Sequence, residues 1–177
     1  MTGRIDDEFT ALPLAALADA ALQAARDGGA SYAAFRMERI LGSSIRLRDA
    51  EVEGTNDTED VGFSVRVILD GTWGFAADLE RTPEAAARTA RKALDLARVS
   101  APVNTEPVDL SPEPVHRDGT WVSSYEVDPW SIPVETRVAL LQDWSRRVLD
   151  ANGVDHVDTS LLAIKENKYY ADLNGTV

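Results

Sequence analysis

The sequence predicts an α+β protein, an antiparallel sheet with helices packed on one face, forming the N-terminal domain of a longer two-domain protein. Three observations carry this. Residues 61–78 read VGFSVRVILDGTWGFAAD, a β-hairpin. Alanine-rich helical segments stand on either side of it in the chain, and the sequence stops at Asn174-Gly175, a hairpin-turn signal followed only by Thr176 and Val177.

In the hairpin, Val61, Phe63, Val65, Val67 and Leu69 alternate with Gly62, Ser64, Arg66 and Ile68, the period of a strand. Asp70-Gly71 suits a type I′ turn, and Thr72 to Ala77 returns. A two-residue loop fixes the register: Leu69 opposite Thr72, Val67 opposite Gly74 and Val65 opposite Ala76 on one face, Ile68 opposite Trp73 and Arg66 opposite Phe75 on the other. The first face sets aliphatic residues against very small ones, so a helix can approach closely. Arg66, Ile68, Trp73 and Phe75 form the second, the candidate cleft or subunit-contact surface. The alternative is that this face is also covered within the domain, with Arg66 lying over Phe75 or paired with a carboxylate.

Before the hairpin, Leu14, Leu17, Ala18, Ala21, Leu22 and Ala25 recur at helical spacing after Pro13, and Gly28-Gly29 ends the helix. From Ser31 to Ile40, Ala33, Phe35 and Met37 alternate as a strand. Gly42-Ser43 is read as a turn, Ile45, Leu47 and Val52 as a second strand, and Glu53 to Asp60 as a loop. After it, Thr82-Pro83-Glu84 supplies a cap, a first-turn proline and an acid for a helix whose buried face is Ala86, Ala90, Ala93, Leu94 and Ala97. Its alanines let it sit close on Gly74 and Ala76. Residues 1–98 thus read as a helix-sheet-helix core.

Residues 99–132 carry Pro102, Pro107, Pro112 and Pro114 and read as an extended surface crossing. Residues 133–177 read as a third helix, with Val134, Val138, Leu141, Trp144 and Val148 as its buried stripe, then a hairpin of Val157–Ile164 and Tyr169–Leu173 turning at Glu166-Asn167-Lys168. Because the strand due after Asn174-Gly175 is missing, the sequence is expected to continue beyond this segment.

The 177 residues carry a net charge of −12, with basic residues interspersed among acids, which argues against nucleic-acid and anionic-membrane partners. No cysteine is present, so thiolate chemistry and disulfides are excluded from the segment. The polar N-terminus and the lack of a long apolar run predict a cytoplasmic protein. His116 and His156 stand in no paired metal-ligand spacing, and Asp155-His156 with Asp158 reads as a surface cluster. The carboxylates Glu51, Glu53, Asp57, Glu59 and Asp60 lack the ladder of a calcium loop. No phosphate-binding loop, dinucleotide fingerprint or nucleophile elbow occurs. The segment therefore offers no catalytic and no metal-binding residues.

Taken in order, Tyr32-Ala33-Ala34-Phe35-Arg36, Val61 to Val67 with Trp73-Gly74-Phe75-Ala76, the helix Ala85 to Ala97, Asp128-Pro129-Trp130, and Glu166 to Asp172 leading to Gly175-Thr176 resemble the TldD/PmbA family. Gly74-Phe75-Ala76 is more similar to the TldD branch. The resemblance implies a cytoplasmic zinc metallopeptidase, once described as a modulator of DNA gyrase, whose C-terminal domain carries His-Glu-x-x-x-His and a cysteine. It implies zinc in the full-length protein but none bound by this segment, which ends before the catalytic domain. It also implies peptide or unfolded-protein substrates, contact with the protein's own C-terminal domain, and a heterodimer with a PmbA/TldE-like subunit. The alternative is a non-catalytic PmbA/TldE-like partner or assembly module.

Overall fold

Leu69 pairs with Thr72, Val67 with Gly74 and Val65 with Ala76, so the hairpin has the register its loop length dictates. In this computed structural model, which describes residues 4–177, its arms are β2 (Glu51–Leu69) and β3 (Thr72–Asp78). The first three residues of the polar N-terminal stretch lie outside the described residues. With β1 (Tyr32–Arg48) and β4 (Asp158–Asp172) these strands form a four-stranded sheet in the order β3-β2-β1-β4. The helices are a single turn α1 (Asp7–Thr10), then α2 (Leu14–Asp27), α3 (Pro83–Ser100) and α4 (Val134–Leu149). The predicted α+β fold is what the chain adopts.

The chain groups into two units, one built from Ile40–Asp60 and Val122–Glu166, the other from Ile5–Arg39, Val61–Trp121 and Asn167–Val177. Both are discontinuous in sequence, whereas the division read from the sequence follows chain order.

The second unit holds the main core. Phe35, Met37, Phe63, Val65 and Val67 from the sheet meet Leu17, Ala18, Ala21 and Ala25 of α2 and Ala86, Ala90, Ala93, Leu94 and Ala97 of α3. Each fully buried large aliphatic side chain here contributes about 1.5–3 kcal/mol. Thr82 caps α3 as its sequence predicts, its Oγ1 accepting from Ala85 N at 3.2 Å. Gly74 is where α3 touches the sheet: a Cβ there would lie 1.9 Å from the Ala93 carbonyl oxygen. Asn104 donates to Gly71 O at 3.0 Å and Val108 N to the same oxygen at 2.8 Å, so the proline-rich segment starts its crossing on the hairpin turn.

Three local readings are corrected. Gly42-Ser43 is no turn; β1 runs straight through it, because Ser43 is an inward position, 3% exposed, whose Oγ accepts from Arg137 Nη1 at 3.0 Å. The turn comes at Asp49-Ala50, both at positive φ (50° and 66°), and Glu53–Asp60 is strand, not loop. Likewise β4 is unbroken at Glu166-Asn167-Lys168: Asn167 is buried, accepting from Asp6 N at 3.0 Å and donating to Asp6 Oδ2 at 2.9 Å. A polar inward residue with a dedicated partner reads, in sequence, like a turn.

The first unit has a smaller core of Ile45, Leu47 and Leu141, with Val134, Val138 and Leu161 packed against it. The expected stripe of α4 is corrected in its second half. Trp144 and Val148 are 52% and 48% exposed, and Ser145 is buried in their stead, its Oγ accepting from Ala50 N at 3.0 Å. The helix is thereby rotated toward the β1–β2 turn, which needs a partner for its backbone.

Candidate functional site

In the second unit, the sheet face turned away from α2 and α3 carries an aromatic and cationic array. The strand alternation puts Val65, Val67, Thr72, Gly74 and Ala76 against the helices, and so Arg66, Trp73 and Phe75 on the other side. Trp73 is 37% and Phe75 53% exposed, while Ile68, on the same face, is 3% exposed and offers a partner nothing. The open part is therefore Arg66, Trp73 and Phe75.

Arg66 lies over the diagonal neighbour, with its Cζ 5.2 Å from the Trp73 ring centre, rather than over Phe75. At so exposed a site this contributes about 0.5–1 kcal/mol. Tyr32 of β1 meets the same indole edge-on, at 5.9 Å between centroids and 89° between planes. Its hydroxyl lies 2.9 Å from that of Tyr170 on β4, and the Tyr170 hydroxyl donates to Asp172 Oδ2 at 3.2 Å. Since Tyr170 gives its proton to Asp172, Tyr32 donates to Tyr170. The row Trp73, Tyr32, Tyr170, Asp172 thus bridges β3, β1 and β4. Desolvation first, with the Asp172 carboxylate that accepts its proton, pushes the Tyr170 hydroxyl well above the usual tyrosine range. It is a fixed donor and not a base.

The sequence misses Tyr32, Tyr170 and Asp172 as members of this surface. Tyr32 is legible in retrospect, because it shares its side of β1 with Arg36. Tyr170 is not, because nothing local says that β4 lies beside β1.

Both histidines make contacts with distant parts of the chain. His156 Nδ1 contacts Asp49 Oδ2 at 2.8 Å in the β1–β2 turn, whose carboxylate also accepts from Val157 N. His116 uses its carbonyl to accept from Val177 N at 2.9 Å. Among the described residues no three His, Cys, Asp or Glu side chains come together as a group able to hold a metal ion. The donor set of the described residues therefore does not fit zinc, and no hydrolytic step is routed through it. Among the same residues no helix is long and apolar enough to cross a membrane.

The comparisons with known proteins bear on this surface and its fold. Residues 33–97 match the family model described as PmbA/TldA metallopeptidase domain 1. Over that segment the chain is similar to the PmbA/TldD family. The segment contains the hairpin, the aromatic pair on β3 and all but the last turn of α3. Three solved structures share the fold. One is described as a candidate modulator of DNA gyrase from Bacteroides thetaiotaomicron, 16% identical with a TM-score of 0.71 over 97% of this chain and 38% of that one. TldE from Thermococcus kodakarensis is 14% identical, with a TM-score of 0.61 over 90% of this chain and 35% of its own. A second candidate modulator of a DNA gyrase, from Thermotoga maritima, is 15% identical, with a TM-score of 0.62 over 90% and 35%. This chain spans less than two fifths of each of these structures. No curated protein matches the sequence significantly.

Proposed function

We propose that this chain is the first domain of a TldD-like zinc metallopeptidase of the cytoplasm that acts on peptides or unfolded protein segments. In this reading the domain builds part of the substrate cleft and of the subunit contact, and zinc and hydrolysis belong to residues beyond Val177. The match of residues 33–97 to a metallopeptidase first domain supports it. So does the open array of Arg66, Trp73 and Phe75, since exposed aromatics beside an arginine are the composition of a contact surface. We assign that array to the protein's own C-terminal domain or to a PmbA/TldE-like subunit.

The test has two parts. The coding frame after Val177 should contain His-Glu-x-x-x-His, and the full-length protein, with its partner subunit, should cleave an unfolded substrate such as casein. Chelation should abolish cleavage and added zinc should restore it. A frame that continues without the motif overturns the peptidase reading. It would favour the second reading, a non-catalytic partner subunit, which the shared fold with TldE supports.

A further inference from the structure

The chain has five asparagines, and two of them, Asn152 and Asn174, are followed by glycine. A glycine in that place leaves its peptide nitrogen unscreened by a Cβ and its backbone free to turn, so the nitrogen can reach the asparagine amide carbon. The other three are guarded. Asn104 donates to Gly71 O and to Thr72 Oγ1, both at 3.0 Å. Asn167 is buried against Asp6, and Asn56 stands within β2 ahead of Asp57.

The fold treats the two Asn-Gly pairs differently. Asn152-Gly153 lies in the loop between α4 and β4, with both residues exposed. The loop is anchored before the pair by Asp150 N to Arg146 O at 2.9 Å and Ala151 N to Val148 O at 3.1 Å, and after it by Val157 N to Asp49 Oδ1 at 2.8 Å. The pair itself is spanned by Val154 N to Ala151 O at 3.3 Å, long for such a bond. Gly153 alone of the two has a positive φ, 87°, which makes this a type II turn. Among the described residues neither Asn152 N nor Gly153 N has a hydrogen bond, and a Cβ on Gly153 would meet nothing within 4 Å. At Asn174-Gly175 the nitrogen is engaged: Gly175 N donates to Asp172 O at 3.2 Å, while Asn174 N and Thr176 N donate to Asp172 Oδ1 at 2.9 and 3.0 Å.

We propose that Asn152 is a modification site, where the folded protein deamidates spontaneously and forms isoaspartate, and that the Asp172 turn protects Asn174 from the same reaction. Hydroxide removes the Gly153 amide proton and the nitrogen attacks Asn152 Cγ. The new N–Cγ bond forms, the Cγ–Nδ2 bond breaks, and the nitrogen leaves as ammonia with a proton from water. Water then opens the cyclic imide at Cγ to give aspartate, or at the main-chain carbonyl to give isoaspartate, whose backbone is one methylene longer. Water enters, ammonia leaves, and nothing is oxidised or reduced. The product adds one negative charge to a chain that already carries −12, in a loop that holds Asp150 and Asp155. The inference stands apart from the peptidase reading, since it concerns the chemistry of this loop alone.

Incubation of the purified protein at mildly alkaline pH, followed by peptide mapping with mass spectrometry, should show Asn152 converting to a mixture of aspartate and isoaspartate, faster as pH rises. Asn174 should react about tenfold more slowly, because the hydrogen bonds from Asn174 N and Gly175 N must first open. In denaturant the two sites should react at similar rates. Asp172→Ala, which removes the Oδ1 acceptor, should speed Asn174 toward the rate of Asn152. Gly153→Ala should slow Asn152 and leave Asn174 unchanged, with circular dichroism reporting whether each variant is folded. The proposal is overturned if Asn174 reacts as fast as Asn152 in the folded protein, or if the difference persists in denaturant. Asn152 staying intact under conditions where the denatured chain reacts overturns it too, as does conversion to aspartate without isoaspartate.

Discussion

Gly74 of β3 and Ala93 of α3 are in backbone contact: a Cβ built on Gly74 would fall 1.9 Å from the Ala93 carbonyl oxygen and 3.0 Å from the Ala97 Cβ. Neither neighbour is the end of a flexible side chain, so the helix itself would have to lift. Gly74→Ala is expected to destabilise the chain by about 3 kcal/mol, read from the denaturant midpoint. Gly54→Ala, at a position with nothing within 4 Å, is the control and should leave stability almost unchanged. Equal effects from the two would refute the close contact.

Trp73→Ala removes the ring that Arg66 and Tyr32 both touch. Because the indole is over a third exposed and stands outside the main core, the cost to stability should be only about 1–2 kcal/mol. The same change should reduce assembly with the full-length partner much more strongly. Unfolding of the variant would instead return Trp73 to a structural role.

Ser145→Ala tests the tie between α4 and the β1–β2 turn. The Ser145 Oγ is the acceptor for the Ala50 N–H, and both residues are buried. Leaving that donor without a partner should cost about 1–3 kcal/mol, measured by chemical denaturation. A neutral result would mean that water replaces the hydroxyl.

Acid should loosen the same turn. Asp49 is held below its ordinary value of 3.8, first by the Val157 backbone hydrogen bond and then by His156. Asp78 is likewise lowered, by the Glu80 and Leu79 amides. A lowered folded-state value means that the unfolded chain binds the proton more readily. The stabilisation is present above about pH 4 and is lost as pH falls through the folded-state values. Asp49→Asn should flatten the acid limb of a stability-versus-pH curve; a curve identical to the parent's would count against this assignment.

Much of the fold was legible because its signals are local. Asp70-Gly71 sets the register of the hairpin, and Thr82-Pro83 starts α3 whatever lies around it. The turn at Asp49-Ala50 was not, since an alanine at positive φ announces nothing. Of the proposed contact surface, Arg66, Trp73 and Phe75 followed from alternation alone. The burial of Ile68 on that same face did not, because it depends on what covers the strand.

The sequence by itself determined the elements whose conformation is set by neighbours in the chain: the α3 cap, the hairpin pairing, the small face at Gly74 and Ala76, and the family signature carried by these residues. Tertiary structure alone decided which polar residues turn inward. Ser43, Ser145 and Asn167 look like breaks or surface in sequence, yet each is buried against a partner far along the chain: Arg137, Ala50 and Asp6. A buried polar group must find its hydrogen bond somewhere, and where it does so is a property of the folded chain.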